Sequence, residues 1–239
     1  MFAGPNGSGK STVKNNLGKS QEWFGVYINP DEIEKTILET GRLLLEPFQT
    51  RTKTDEVQQY FAGSTLIQKA NLAEDIQNIK CEHGAIDFSG ISFTSYHASV
   101  LSDFLRRKLV ESSQSFTFET VMSSKDKVDF LQFARTHGFR TYLYYVATVD
   151  SEINIQRVAN RVIDGGHDVP KQKITDRYER SLKLLPDAVK QSNRAYFFDS
   201  SSTNSVWFAE ITDGIHLEIK QNVLVPIWFN GVVESLNGA

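Results

Sequence analysis

Apolar residues fall in short runs separated by longer stretches of helical periodicity. Val26 to Asn29, Phe116 to Glu119, Thr141 to Ala147 and Ala195 to Asp199 read as strands. Between them Val100, Leu101, Phe104, Leu105 and Leu109 recur at helical spacing, as do Val128, Leu131 and Ala134 ahead of Gly138. Strands alternating with such helices predict an α/β fold with a mainly parallel, five-stranded sheet flanked by helices. A further helix is expected to carry Pro170 at its first position, to place Ile174, Tyr178, Leu182 and Leu185 on one face, and to break at Pro186.

Near the carboxyl end the pattern changes. Val206 to Ile211 and Ile215 to Ile219 flank Asp213-Gly214, and the second run alternates apolar with polar residues, which predicts a β-hairpin over about 206–219. The stretch 40–96 has the least regular pattern: a polar helical segment around Asp55 to Ile79, then a loop-like run from Phe88 to Ser92. It reads as a helical insertion within a single domain spanning 1–239, because no internal repeat and no Gly-, Ser- or Pro-rich linker interrupts the chain.

Composition leaves that picture unchanged and narrows the functions. With 40% hydrophobic and 23% charged residues the chain is an ordinary folded protein. The 26 Lys and Arg against 29 Asp and Glu offer no overall charge that would attract nucleic acid or an anionic membrane. A single cysteine, Cys81, cannot close an intramolecular disulfide, and Cys81-Glu82-His83 lacks a second ligand pair at zinc spacing. The amino terminus has no basic segment followed by an apolar one, and no stretch of 18 apolar residues occurs. A cytoplasmic protein with neither membrane nor nucleic-acid partner is therefore expected.

The most specific motif is Gly4-Pro5-Asn6-Gly7-Ser8-Gly9-Lys10-Ser11, followed by Thr12. It fits the pattern in which glycines let successive backbone N–H groups turn inward around a phosphate, a lysine neutralises the outer phosphates and a hydroxyl ligates Mg²⁺. Lys10 and Ser11 hold the last two roles, and the helix beginning near Gly9 turns its positive end to the anion. Only three residues precede the loop, so its strand is either a stub or begins upstream.

Ligands of open α/β sheets bind at the carboxyl ends of the strands. There the chain carries Asp31, Glu119 with Thr120, and Asp199. Asp31 suits two roles. It follows Asn29 and Pro30 in a helix first turn, and it is a candidate base for a substrate hydroxyl in phosphoryl transfer. Glu119 is either an exposed strand end, an acceptor for substrate hydroxyls or a carboxylate near Mg²⁺. Arg157 and Arg161 share one helical face just before Gly165-Gly166-His167, an arrangement suited either to a solvated surface or to a lid that closes over a triphosphate. His167 either touches phosphate or caps the next helix.

Together, Ala3 to Thr12, Ile28-Asn29-Pro30-Asp31-Glu32-Ile33, Phe116 to Thr120, and Gly165-Gly166-His167-Asp168-Val169-Pro170 with Arg177-Tyr178 resemble the zeta toxin family of P-loop kinases, over about residues 1–39 and 97–202. The resemblance implies a P-loop NTPase fold and ATP-dependent phosphorylation of a hydroxyl on a UDP-sugar, typically UDP-N-acetylglucosamine, by the toxin of a toxin-antitoxin pair. It further implies an antitoxin protein as partner, ATP and Mg²⁺ at Lys10 and Ser11, Asp31 as base, Glu119 with Thr120 toward the sugar nucleotide, and Arg157 as a lid arginine. The chain departs from the pattern at His167, where the family carries a second arginine for which Arg161 is the candidate. Glu119 and Thr120 are adjacent where the family has a residue between them, and 40–96 has no counterpart. Two other functions fit the residues: a phosphotransferase acting on a nucleoside or antibiotic hydroxyl, and a slow ATPase switch.

Overall fold

The computed structural model describes residues 1–18, 21–163, 165 and 168–238, with the backbone alone for 21 and 22. In chain order its elements are β1 (Phe2–Ala3), α1 (Lys10–Asn16), α2 (Gln21–Phe24), β2 (Val26–Ile28), α3 (Pro30–Thr40), β3 (Arg42–Leu44), α4 (Thr54–Ala62), α5 (Thr65–Lys69), β4 (Lys80–Glu82) and β5 (Ala85–Asp87). Then follow α6 (Ser95–Glu111), β6 (Phe116–Thr120), α7 (Asp126–Thr136), β7 (Tyr142–Ala147), α8 (Ser151–Ile163), α9 (Lys171–Lys190), β8 (Arg194–Asp199), β9 (Val206–Thr212), β10 (His216–Ile219) and α10 (Asn230–Asn237). The chain groups into two compact units, Met1–Lys19 with Glu119–Ala239, and Ser20–Phe118.

In the first unit β1 lies between β7 and the carboxyl end of β6, all parallel, with Phe2 in register with both Tyr144 and Glu119. β8 continues the parallel set from Tyr142↔Arg194 to Ala147↔Asp199. Phe2 stacks on Tyr144 with ring centroids 4.7 Å apart, and Tyr144 on Tyr196 at 4.9 Å, so an aromatic ladder crosses three strands and holds a two-residue β1 in place. The expected hairpin is present as β9 and β10, and it extends the same sheet through antiparallel pairing of β9 with β8. Trp228 and Phe229 close the apolar face, packing on Tyr145, Phe197 and Phe208.

Helix α9 departs from expectation. It runs through Pro186 to Lys190, with Pro170 as its N-cap. A proline removes one backbone donor and kinks a helix, yet the last turn persists when tertiary burial holds it. Leu185, Ala188 and Val189 on that turn are buried.

In the second unit β2 runs parallel to the amino end of β6, from Val26↔Phe116 to Ile28↔Phe118. Five parallel strands are thus present, but the sheet is larger than the five strands expected, because β9 and β10 add to it through β8 and do not stand apart; the fold is α/β with helices about a mostly parallel sheet. The segment 40–96 contains α4 and α5, as its polar helical pattern suggested, and also an antiparallel sheet of order β3-β5-β4 that the pattern did not show. Three-residue strands are too short to display a period. The β4–β5 turn uses His83 and Gly84, both at positive φ, a two-residue hairpin turn that an Asn-Gly pair would have announced.

The side-chain core of this unit includes a charged cluster on α6. Arg106, almost fully buried, donates to Asp103 at 2.6 Å and lies 4.6 Å above the Phe118 ring. Arg107 donates to Asp103 at 3.1 Å and to the Tyr60 hydroxyl at 3.0 Å, and Tyr60 in turn donates to Asp103. Burial alone would raise the Asp103 carboxyl, but the Arg106 charge, hydrogen bonds from Tyr60 and Arg106, and the Arg107 charge hold it well below the usual carboxylate range. Among the described residues no helix is long and apolar enough to cross a membrane.

Removing one partner from a buried ion pair leaves the other uncompensated, so Asp103→Ala should lower the unfolding free energy by about 3 kcal/mol or more in urea titrations. Because the folded carboxyl is depressed, the stabilisation from Asp103 is complete above the unfolded value near pH 4 and is lost as pH falls below it. The wild-type minus Asp103→Ala difference in stability should therefore shrink between about pH 4 and pH 2.

Candidate functional site

β1 delivers the chain into the Gly4 to Lys10 loop in the first unit. Three glycines there adopt positive φ: Gly4 at 144°, Gly7 at 72° and Gly9 at 91°. A Cβ on Gly4 would lie 2.0 Å from the Val146 carbonyl oxygen, one on Gly7 2.6 Å from the Asn154 carbonyl oxygen, and one on Gly9 2.9 Å from Ser200 Oγ. The loop is thus pressed between the end of β7, helix α8 and the end of β8 at distances that only glycine permits.

Lys10 Nζ donates back to the carbonyl oxygens of Gly4 at 2.9 Å and Pro5 at 3.0 Å. The Ser8 hydroxyl is fully buried and has no hydrogen-bond partner among the described residues, as is characteristic of sites that take an external polar group. Ser11 Oγ donates to Glu119 Oε2 at 3.0 Å, which brings a hydroxyl and a buried carboxylate together beside the loop. Thr12 is exposed on α1. Thr120 Oγ1 accepts from the Met122 N–H at 3.1 Å, and Met122 takes a left-handed conformation rare for its type as the chain turns away from β6.

Helix α8 holds the loop from one side. Buried Asn154 donates its amide to the Asn6 carbonyl oxygen at 2.6 Å and accepts from the Thr148 hydroxyl. One turn on, Arg157 donates to Ser200 Oγ at 3.3 Å and to the Ser202 carbonyl oxygen at 3.0 Å, and Arg161 follows on the same face. Helix α9 meets the loop as well: Arg177 Nη1 donates to Asn6 Oδ1 at 3.2 Å, and the neighbouring Tyr178 hydroxyl donates to the Thr148 carbonyl oxygen at 2.7 Å. Burial, with the charges of Asp150 and Asp199, pushes the Tyr178 phenol up to about 12, so it remains a donor across the physiological range.

The structure therefore gathers the glycine loop, Lys10, Ser11, Glu119 and Arg157. Asp199 serves elsewhere, accepting from the Ser201 N–H at 3.0 Å and from Trp228 Nε1 at 2.9 Å, which ties down the carboxyl-terminal segment. Asp31 belongs to the second unit. There Asn29 is the N-cap of α3, accepting from the Asp31 N–H at 3.0 Å, Pro30 is the first helical residue, and the Asp31 side chain is exposed just beyond β2. His167 and Gly166 lie outside the described residues. Sequence reasoning assigned no role to Asn154, Ser200 or Arg177, although Arg177 with Tyr178 stands among the residues that carry the resemblance. Asn154 carried a signal, since it lies three and seven residues before Arg157 and Arg161 and puts an amide beside apolar Ile155 and Val158 on a helix.

Chemically, this arrangement can cradle an anion between backbone N–H groups and cationic side chains. Ser11 and Glu119 offer hard oxygens of the kind that hold Mg²⁺ when phosphate and water complete its shell.

No protein-family model matches the chain, and no curated protein matches it in sequence. Among solved structures it is similar to a chain of the AvrRxo1-ORF1:AvrRxo1-ORF2 complex. The native complex gives a TM-score of 0.57 at 12% identity, covering 98% of this chain and 62% of that one. The complexes with sulphate ions and with ATP each give 0.55 at 14% identity, covering 92% of this chain and 60% of that one. The likeness is one of fold, and this chain spans 60% to 62% of the length of the chains it matches.

Asn154→Ala should cost about 1–3 kcal/mol of stability in denaturant titrations, because it removes the Asn6 carbonyl's side-chain partner and leaves the Thr148 hydroxyl with the Asp150 carbonyl alone.

Proposed function

We propose that this chain is an ATP-dependent kinase of the zeta toxin type, built on a P-loop fold, that phosphorylates a hydroxyl of a small molecule of the UDP-sugar class. The observation that carries the reading is the glycine loop, packed too closely for any Cβ, with Lys10 folded over it and the Ser11–Glu119 pair at its side. A triphosphate with Mg²⁺ fits these groups: the Ser8 hydroxyl, without a partner among the described residues, and the loop backbone would meet phosphate oxygens, and Ser11 and Glu119 would supply the cation's protein oxygens. Such a cation, when bound, screens the charge of the transferring phosphoryl group.

The chain's own residues supply positioning. Lys10 fixes the outer phosphates and the loop backbone the inner ones, Glu119 keeps Ser11 oriented, and Arg157 adds positive charge beside the loop. Asp31 takes the proton of the acceptor hydroxyl as its oxygen bonds to the γ-phosphorus and the bond to the bridging oxygen of ADP breaks. The reading is supported by a fold likeness to a complex solved with ATP. That complex holds two different open-reading-frame products, which favours a protein antitoxin as partner for this chain.

Incubation with Mg-ATP and a panel of UDP-sugars, nucleosides and aminoglycosides, followed by mass spectrometry, should show a UDP-sugar gaining one phosphoryl group. ADP release with every acceptor unmodified would sink the kinase reading in favour of an ATPase switch. Lys10→Ala should reduce turnover at least about 100-fold. Asp31→Asn should retain ATP binding by calorimetry while losing turnover, and equal rates for Asp31→Asn and wild type would remove Asp31 from the chemistry.

A further inference from the structure

We propose that Arg177 is the side chain that recognises the terminal phosphoryl group, so that the site distinguishes ATP from ADP through helix α9. The inference rests on the nucleotide reading above and adds to it a residue to which the motifs assign no role.

The loop has two ends, and the lysine marks them. The lysine of this motif serves the β- and γ-phosphates, whereas the loop backbone serves the inner ones. Lys10 Nζ lies against the Gly4 and Pro5 carbonyl oxygens, so that side of the loop is the outer-phosphate end, and Asn6 is the next residue along it. Arg177 reaches this end, donating to Asn6 Oδ1 at 3.2 Å. Arg157 reaches the other end, through Ser200, whose hydroxyl lies against Gly9.

The Asn6 side chain is a neutral acceptor for a guanidinium that matches phosphate far better. Arginine offers a permanent charge and a planar fork of donors, and its bonds to ionised oxygen are roughly twice as strong as those between neutral groups. Exchanging the amide oxygen for a phosphoryl oxygen at the same spot is favourable, and it requires little movement. The surrounding bonds explain why little movement is needed. Asn154 fixes the Asn6 backbone at 2.6 Å and pairs with Thr148, and Thr148 also anchors Tyr178 beside Arg177 at 2.7 Å. One network thus sets both the loop tip and the helical turn that aims at it, which is the preorganisation a phosphate contact needs.

The experiment is a set of calorimetric titrations of Mg-ATP and Mg-ADP into wild type, Arg177→Met, Arg177→Lys and Arg157→Met. Arg177→Met should weaken ATP about tenfold or more and leave ADP within about twofold, the loss of one charge-assisted contact to the γ-phosphoryl group alone. Retained ADP binding shows that the variant is folded. Arg157→Met should affect both nucleotides alike. If Arg177→Met does not fold, Arg177→Lys should show a smaller loss of the same sign, confined to ATP. Equal losses for ATP and ADP on changing Arg177, or no loss for ATP, overturn the assignment. Wild type binding neither nucleotide would instead overturn the nucleotide reading itself.

Discussion

The close approach of three backbone and side-chain oxygens to the Gly4 to Lys10 loop governs the first unit. Val146, Asn154 and Ser200 come from β7, α8 and the end of β8, and each stands where a Cβ would otherwise be. Within the loop the Ser8 N–H donates to the Pro5 carbonyl at 3.3 Å, and Lys10 Nζ and the Ser11–Glu119 pair stand beside it. The parallel register of β1 between β6 and β7 sets that arrangement, since Glu119 and Tyr144 both pair with Phe2 at the base of the loop. The aromatic ladder from Phe2 through Tyr144 to Tyr196 then makes a two-residue strand adequate as an anchor.

Polar side chains around the loop form one connected set. Thr148, Asn154, Asn6, Arg177 and Tyr178 link the end of β7 with α8, the loop and α9, while Arg157 links α8 to the segment after β8. Buried polar networks are worthwhile only when their members find partners, and most of these do within the unit. Ser8, in the loop itself and outside this set, keeps a buried hydroxyl without a partner among the described residues. The second unit solves a similar problem differently: the nearly buried guanidinium of Arg106 is balanced by Asp103 and covered by the Phe118 ring.

How much could be read from residues alone depended on the length of the signal. The helices α6 and α7, the start of α9 and the strands β6 to β9 span enough residues to show a period, and they appear where the pattern put them. β3, β4 and β5 have three residues each and left no period, so the small antiparallel sheet within 40–96 was invisible. Pro186 misled because a local rule about helices was overruled by burial of Leu185, Ala188 and Val189.

The glycine loop with its lysine and serine was determined by sequence, because positive φ and close approach demand glycine at fixed spacing and the chemistry demands the two side chains beside it. The alternation of strands and helices determined the α/β class in the same way. Which polar groups surround the loop was decided only by the tertiary structure. Glu119 is 108 residues from Ser11 and Arg177 is 171 from Asn6, and no spacing rule relates such positions. Parallel strand order brings Glu119 to Ser11, and the packing of α9 in the first unit brings Arg177 to Asn6. Contacts of that kind exist only after distant segments are paired in one sheet and its covering helices are in place.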